Sequence, residues 1–225
     1  MDKKLLPRII DLSCVKTQST TEELNLMVDL AKKYKFICCF SMPCFTEWLT
    51  EQLKDCPDTV VGAPVGFPSG ADLTEIKVQT ALIQQEMGCQ EFDMVINVGA
   101  LKDRNYEFVE RDIKAVREAV PGKIMKVILE VCYLTDYEIC KGAEIAAKCG
   151  ATFVKTGTGW GNKPTTVEHI KLLKKAVGDS CAIKAAGGVR TLDDIEQMVD
   201  AGCTRFGIGV NSSISILKEA GIYKE

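Results

Sequence analysis

Eight short runs rich in β-branched and apolar residues recur along this chain about 28 residues apart, at 9–13, 36–40, 59–65, 91–97, 123–130, 152–155, 181–185 and 204–207. Longer amphipathic stretches separate them. A strand, a crossover helix and a second, parallel strand need roughly 30 residues, so this rhythm dictates a parallel sheet. The intervening stretches carry helix signals. Thr20-x-x-Glu23 has the form of a capping box ahead of Leu24, Met27, Val28 and Ala31. Stretch 106–120 places Val109, Ile113, Val116 and Val120 on one stripe and stops at Pro121-Gly122. Thr165-x-x-Glu168 reads as a second capping box. Helices over 74–87, 135–149 and 191–201 end at Gly88, Gly150 and Gly202, each followed at once by Cys or Ala and the next run.

Eight such units predict one (β/α)8 barrel, an α/β fold spanning residues 1–225 as a single domain. A doubly wound open sheet has the same alternation. Its dinucleotide-binding form is disfavoured, because no Gly-x-Gly-x-x-Gly follows the first run. An apolar fraction of 46% supplies a core, and a net charge of -3 gives no reason to expect nucleic acid as a partner. No run approaches the roughly 20 apolar residues of a membrane span, and the N-terminal apolar stretch is too short for a signal peptide. The 11 cysteines are odd in number, scattered through apolar runs and never spaced Cys-x-x-Cys. They read as small buried hydrophobes in a reducing, cytoplasmic setting, not as disulfides or zinc ligands. His169, the one histidine, sits at a polar helix start and reads as a surface residue. Neither a catalytic metal nor a Ser-His-Asp arrangement is expected with so little imidazole.

Reactive residues of a parallel barrel collect at the C-terminal ends of its strands. Read that way, the candidates are Asp11, Asp93, Asn97, Lys126, Glu130, Lys155 and Lys184. The period of two places Asp93, Val95 and Asn97 on one face, Phe153 with Lys155, and Ala182 with Lys184. Lys155 and Lys184 follow neighbouring apolar runs, and each precedes glycines. An ammonium in such a place is costly unless it is paired or reactive. One cation beside another loses its proton more easily, and a neutral lysine amine attacks carbonyls. That is Schiff-base chemistry, and it needs no metal and no organic cofactor. The plainer readings are a structural Lys126–Glu130 ion pair, a turn at Asn97 and a cap at Asp93. Gly187-Gly188 and Gly207-Ile208-Gly209 follow the seventh and eighth runs, where barrels often cradle phosphate on backbone N–H groups. Val65-Gly66-Phe67-Pro68-Ser69-Gly70 reads either as a supporting turn or as a substrate wall.

Several motifs together resemble the deoxyribose-phosphate aldolase family. They are Val65-Gly66-Phe67-Pro68, Thr74-Glu75-x-Lys77, Asp93-Met94-Val95-Ile96-Asn97, Lys126-Val127-Ile128-x-Glu130, Phe153-Val154-Lys155-Thr156-x-Thr158-Gly159 and Lys184-x-Ala186-Gly187-Gly188-Val189-Arg190, in order over roughly residues 9 to 218. The resemblance implies a class I aldolase that joins acetaldehyde to glyceraldehyde 3-phosphate, or cleaves 2-deoxyribose 5-phosphate. It implies Lys155 as the Schiff-base lysine, Lys184 as the group that lowers its pKa, Asp93 as proton relay through water, and Lys126 as the partner orienting Asp93. Asp11 and Thr158 are expected to support the site, and Gly187, Gly188, Gly207 and Gly209 to bind phosphate. Small-molecule substrates and a homo-oligomer follow from the same resemblance. The chain departs from the family pattern at Asp11-Leu12-Ser13, at Phe40 in place of a cysteine, at Trp160 in place of a basic residue, and at Gly209-Val210 in place of paired serines. The lysines and Asp93 are untouched, so the departures leave the chemistry in place and bear on the acceptor, with another deoxy sugar phosphate or an unphosphorylated aldehyde as the alternative. Tyr223 reads as a surface residue.

Overall fold

A computed structural model describes residues 2–224. The strands are β1 (Ile10–Cys14), β2 (Cys38–Ser41), β3 (Val60–Val65), β4 (Glu91–Val95), β5 (Ile124–Ile128), β6 (Phe153–Lys155), β7 (Ala182–Ala186) and β8 (Arg205–Gly209). All are parallel to their neighbours, and the order β1 to β8 closes on itself. The eight predicted runs are these strands, with ends displaced by at most two residues. The helices are α1 (Thr21–Tyr34), α2 (Thr46–Leu53), α3 (Thr74–Glu86), α4 (Val98–Lys102), α5 (Tyr106–Ala119), α6 (Asp136–Lys148), α7 (Val167–Val177), α8 (Leu192–Asp200) and α9 (Val210–Glu219). The open-sheet alternative is excluded by the β1–β8 pairing, which matches Asp11 to Gly207.

The alternation of side chains along each strand sorts the molecule into two interiors. One set of positions, such as Leu12, Phe92, Met94, Val127, Val154 and Phe206, packs outward against the helices in one apolar cluster. The other set points into the barrel and includes Asp11, Phe40, Asp93, Lys126, Lys155 and Lys184. Barrels of this kind usually fill that interior with branched apolar side chains. Here it is largely charged.

Caps fix where the helices begin. Thr20 accepts from the Glu23 amide, and Thr135 with Glu138 and Thr191 with Asp194 form reciprocal capping boxes. The box expected at Thr165–Glu168 lies one residue further on. Thr166 caps α7 and His169 answers it, its Nδ1 accepting from the Thr166 amide at 3.1 Å. His169 is therefore a half-buried capping residue and not a plain surface one. Gly88, Gly150 and Gly202 end their helices at φ of 102°, 81° and 104°, which L side chains rarely adopt.

Helix α3 inverts the usual pattern. Its buried residues are Lys77, Ala81 and Gln84, while Leu73, Ile76 and Ile83 are exposed. Buried Gln84 donates to the carbonyl of Pro64 at 2.9 Å, and Lys77 donates to that of Val95 at 3.1 Å and to Asp112 at 2.7 Å. The polar face satisfies carbonyls and a carboxylate that burial would otherwise leave stranded. Of the 11 cysteines, none is bonded to another; seven are buried and only Cys44 is exposed. Among the described residues, no helix is long and apolar enough to cross a membrane. Tyr223 stacks on Tyr34, with ring centroids 6.1 Å apart, where α1 hands over to β2. That is the opposite end of the barrel from the C-terminal ends of the strands.

Candidate active site

Lys155 closes β6 and lies in register with Lys184 on β7; Asp93 on β4 lies in register with Lys126 on β5. All four side chains converge inside the barrel. Lys155 Nζ donates to Asp93 Oδ2 at 2.7 Å, and Lys184 Nζ donates to the same oxygen at 2.6 Å. One carboxylate oxygen therefore bridges the two amines. Lys126 Nζ donates to the other oxygen, Oδ1, at 3.0 Å. The reactive groups do not all sit at strand ends, as the sequence had suggested. Lys155 does; Lys184, Asp93 and Lys126 are mid-strand and reach the same point by the inward pleat, and Asp11 lies near the start of β1.

Beneath them lies a second layer, built on the expected Asp11 and on Glu91 and Arg205, which sequence reasoning missed. Asp11 accepts from Lys184 and from Arg205 Nε, and Arg205 also donates to Glu91 at 2.9 and 3.0 Å. Lys126 bonds Glu91 as well. Glu91 was legible in principle, since it stands two residues from Asp93, already read as facing one side of its strand; for Arg205 the sequence offered no such signal. Phe40 of β2 completes the interior. Gly62 opposite it provides the room, because a Cβ there would lie 2.1 Å from Phe40 Cζ. The ligand-capable atoms of Asp11, Cys38 and Glu91 lie within 4.8 Å of one another. The two carboxylates already accept from Arg205 and Lys126, and burial pushes the Cys38 thiol well up. Those donors match an ion-pair layer and not a metal cage.

The charge states follow from burial and crowding. Burial is the largest influence on Lys155 and lowers its pKa; Asp93 opposes, and Lys184 and then Lys126 push further down, to about 8. The neighbouring cation acts as expected, but desolvation outweighs it. Burial would raise Asp93, yet Lys126, Lys155 and Lys184 together hold it well below the ordinary carboxylate range. Burial likewise opposes ionisation of Asp11, and Lys126, Lys184 and Arg205 bring it down to about 2. Lys126 is raised, the three carboxylates around it overcoming its burial.

Lys155 also meets a cavity of about 160 Å³ at the mouth of the barrel. Thr158, Trp160, Gly187, Gly188, Gly207 and Gly209 line it too, with Lys16, Arg190 and the start of α9. Lys184 and Asp93 do not reach it. Trp160 donates its indole N–H to Val15 O at 2.9 Å and packs edge-on against Phe67, joining the loop after β6 to those after β1 and β3. Gly187 and Gly188 have φ of 85° and 100°, and a Cβ on Gly188 would meet Pro164 at 2.5 Å. Gly207 has a different reason to lack a side chain, since a Cβ there would crowd Ala186 and Lys184. The Lys126–Glu130 ion pair is not formed. Glu130 stands beyond β5 in the left-handed region and accepts from the Thr158 amide and hydroxyl. It thereby fixes the loop that follows Lys155. Thr165 ties the same loop to β7 by donating to Ala186 O at 2.7 Å. Asn97 caps α4, accepting from the Ala100 amide at 2.9 Å.

Residues 19–217 match the family model described as DeoC/LacD family aldolase. A deoxyribose-phosphate aldolase of Streptococcus sanguinis is 42% identical over 213 residues, covering 95% of this chain and 96% of that one. That of Aciduliprofundum boonei is 42% identical over 220 residues, covering 97% and 98%. The tetrameric deoxyribose phosphate aldolase of Aeropyrum pernix superposes with a TM-score of 0.85 at 26% identity, covering 96% of this chain and 91% of that one.

Proposed function

The chain belongs to the DeoC/LacD family of aldolases, and on that premise we propose that it cleaves 2-deoxy-D-ribose 5-phosphate reversibly to D-glyceraldehyde 3-phosphate and acetaldehyde through a Schiff base on Lys155. The observation that carries the residue assignment is the setting of Lys155. It alone of the barrel lysines lines the mouth cavity, and its amine is depressed to about 8. At pH 7 about a tenth of it is then neutral, against a negligible fraction for an ordinary lysine.

In the synthetic direction the neutral Nζ attacks the acetaldehyde carbonyl, and loss of water leaves an iminium ion. The iminium draws electron density from the adjacent methyl group, so proton removal there gives an enamine. The enamine carbon attacks the acceptor aldehyde, and hydrolysis of the new iminium frees Lys155. Asp93 faces the cationic nitrogen from 2.7 Å and offsets its charge at each iminium stage. A water molecule between Asp93 and substrate serves as the proton carrier. Lys184 withdraws electrostatic support from the Lys155 ammonium, and Lys126 fixes the Asp93 carboxylate. Glu130 and Thr158 hold the loop against which the substrate packs.

The phosphate of the acceptor is assigned to the far side of the same cavity. Gly187, Gly188 and Gly209 let backbone approach there, Arg190 supplies a cation, and α9 opens with no side-chain cap on its free amides. Gly207 belongs more to the packing of Lys184 than to the phosphate. Trp160 favours a second reading, in which an unphosphorylated or differently substituted aldehyde lies against the indole. We assign a single domain to residues 1–225 and a homo-oligomeric state, for which the exposed Leu73, just before α3, and Ile76 and Ile83 on it offer an apolar face.

Borohydride reduction in the presence of acetaldehyde should add one ethyl group to the Lys155 peptide and to no other; no adduct there would remove the basis of the assignment. Comparing kcat/KM for 2-deoxyribose 5-phosphate and for 2-deoxyribose tests the phosphate site, and a ratio near one favours the second reading.

A further inference from the structure

The interior of the barrel holds an aromatic ring among its charges. Phe40 lies in register with Ser13 on β1 and Gly62 on β3, and its ring fills the volume that Gly62 leaves vacant. The ring centroid is 4.6 Å from Lys184 Nζ, 4.8 Å from Lys126 Nζ and 5.9 Å from Lys155 Nζ. Three ammonium groups thus gather around one quadrupole, and the nucleophile proposed above is the most distant.

The charged groups around the ring can be set out strand by strand. Strand β1 contributes Asp11, β4 contributes Glu91 and Asp93, β5 contributes Lys126, β6 Lys155, β7 Lys184 and β8 Arg205; β3 contributes none. Cys38 of β2 stays a neutral thiol. Among the described residues the interior therefore holds four cations and three carboxylates, and the loss of one proton would balance it. Three lysines can supply that proton. The carboxylates already lean one way: Lys155 and Lys184 share Asp93 Oδ2, but Lys184 also donates to Asp11, and Lys126 meets Asp11, Glu91 and Asp93.

We propose that Phe40 is a positioning residue that reinforces this sorting, its ring adding to the carboxylates that hold Lys184 and Lys126 in their charged forms so that Lys155 becomes the free amine. Attraction between a cation and the face of a ring strengthens as the two approach and as water is excluded. The ring therefore favours the ammonium form at Lys184 and Lys126 more than at Lys155. The lysine left least supported is also the one that meets the cavity. Sequence placed Phe40 where a cysteine was expected; the structure gives that replacement an electrostatic task.

The inference rests on Lys155 being the Schiff-base lysine, and the experiment separates the two ideas. Phe40 is replaced with 3,4,5-trifluorophenylalanine, which keeps the bulk and dryness of the ring but weakens its quadrupole. Phe40→Leu serves as a second variant with no ring at all. Retro-aldol kcat/KM is followed from pH 6 to pH 10, and acetaldehyde is trapped with borohydride in the parent protein. With the ring weakened, the vacancy is shared with Lys184 and Lys155 stays charged to higher pH. The expected result is an acid limb moved upward by about half a pH unit, with a fall of about threefold in kcat/KM at pH 7 and little change above pH 9. Phe40→Leu should move the limb at least as far. Trapping on Lys155 with an unmoved or lowered limb in the fluorinated protein overturns the role of Phe40 alone. Absence of trapping in the parent overturns the Schiff-base reading itself.

Discussion

Lys77 and Lys155 are both buried, and each donates to an aspartate oxygen at 2.7 Å, yet their surroundings differ in two respects. Lys77 has Asp112 to itself, spends a second hydrogen on Val95 O, and leaves the other Asp112 oxygen to Thr74. It is a buried clasp between α3, α5 and the end of β4. Lys155 shares its aspartate with Lys184 and Lys126 and opens to the mouth of the barrel. A buried lysine is thus not reactive by virtue of burial or pairing. What sets Lys155 apart is an oversubscribed counter-ion and an opening to the mouth cavity.

The largest effect that tests this contrast is on turnover. Lys155→Ala should lower kcat by about 10⁴-fold or more while moving the melting temperature only a few degrees; turnover above a thousandth of the parent rate would erase the distinction. Asp93→Asn should come next, lowering kcat by about 10²- to 10⁴-fold, because the iminium loses its facing charge. At Lys77 the loss should fall on stability instead. Lys77→Met strands the Asp112 carboxylate and should cost about 3–5 kcal/mol in denaturant unfolding. The double variant Lys77→Met/Asp112→Leu should recover most of that, with kcat/KM of the folded enzyme close to the parent value in both. If Lys77→Met instead abolished turnover in fully folded protein, the clasp would belong to the active site.

The pH profile sharpens the comparison further. Lys155 is depressed from the ordinary lysine value to about 8, so its neutral amine is present above that pH and lost as pH falls below it. Retro-aldol kcat/KM should rise about tenfold per unit below pH 8 and level off above. Lys184→Leu should move the bend upward, because one lowering influence on Lys155 is gone; a fixed bend would contradict the role given to Lys184. The smallest effect is in acid. Asp11 is lowered from 3.8 to about 2, so its contribution is complete above the unfolded value and fades as pH falls from about 4 to about 2. Over that window it is worth about 2 kcal/mol of stability, measurable as a shift in the acid-unfolding midpoint.

The same contrast marks what the sequence could disclose. The strands were legible because both faces of a buried parallel sheet must be filled, and the runs stand out against amphipathic helices. Lys155, Lys184 and Asp93 were legible because charges break those runs. Helix α3 was legible as an element over 74–87 but its buried face was not, since the rule that apolar residues face inward fails there: Leu73, Ile76 and Ile83 point out, and Lys77 and Gln84 point in to serve carbonyls. Only the fold reveals which carbonyls need a donor. Glu91 and Arg205 escaped for a related reason, their charges lying at strand starts where a solvated position is the ordinary expectation. Glu130 was paired with the wrong residue because the left-handed turn after β5 carries it out of the strand's alternation.

Arg205 braces β8 to Asp11 on β1 and to Glu91 on β4, and its partner Asp11 is 194 residues away. Asp93, Lys126, Lys155 and Lys184 are all synthesised before that arginine. Until the last strand arrives, Asp11 and Glu91 have no guanidinium to neutralise them and the ring of strands stands open. A polypeptide of this design cannot close its charged interior until its final strand is made, however early the residues around Lys155 are synthesised.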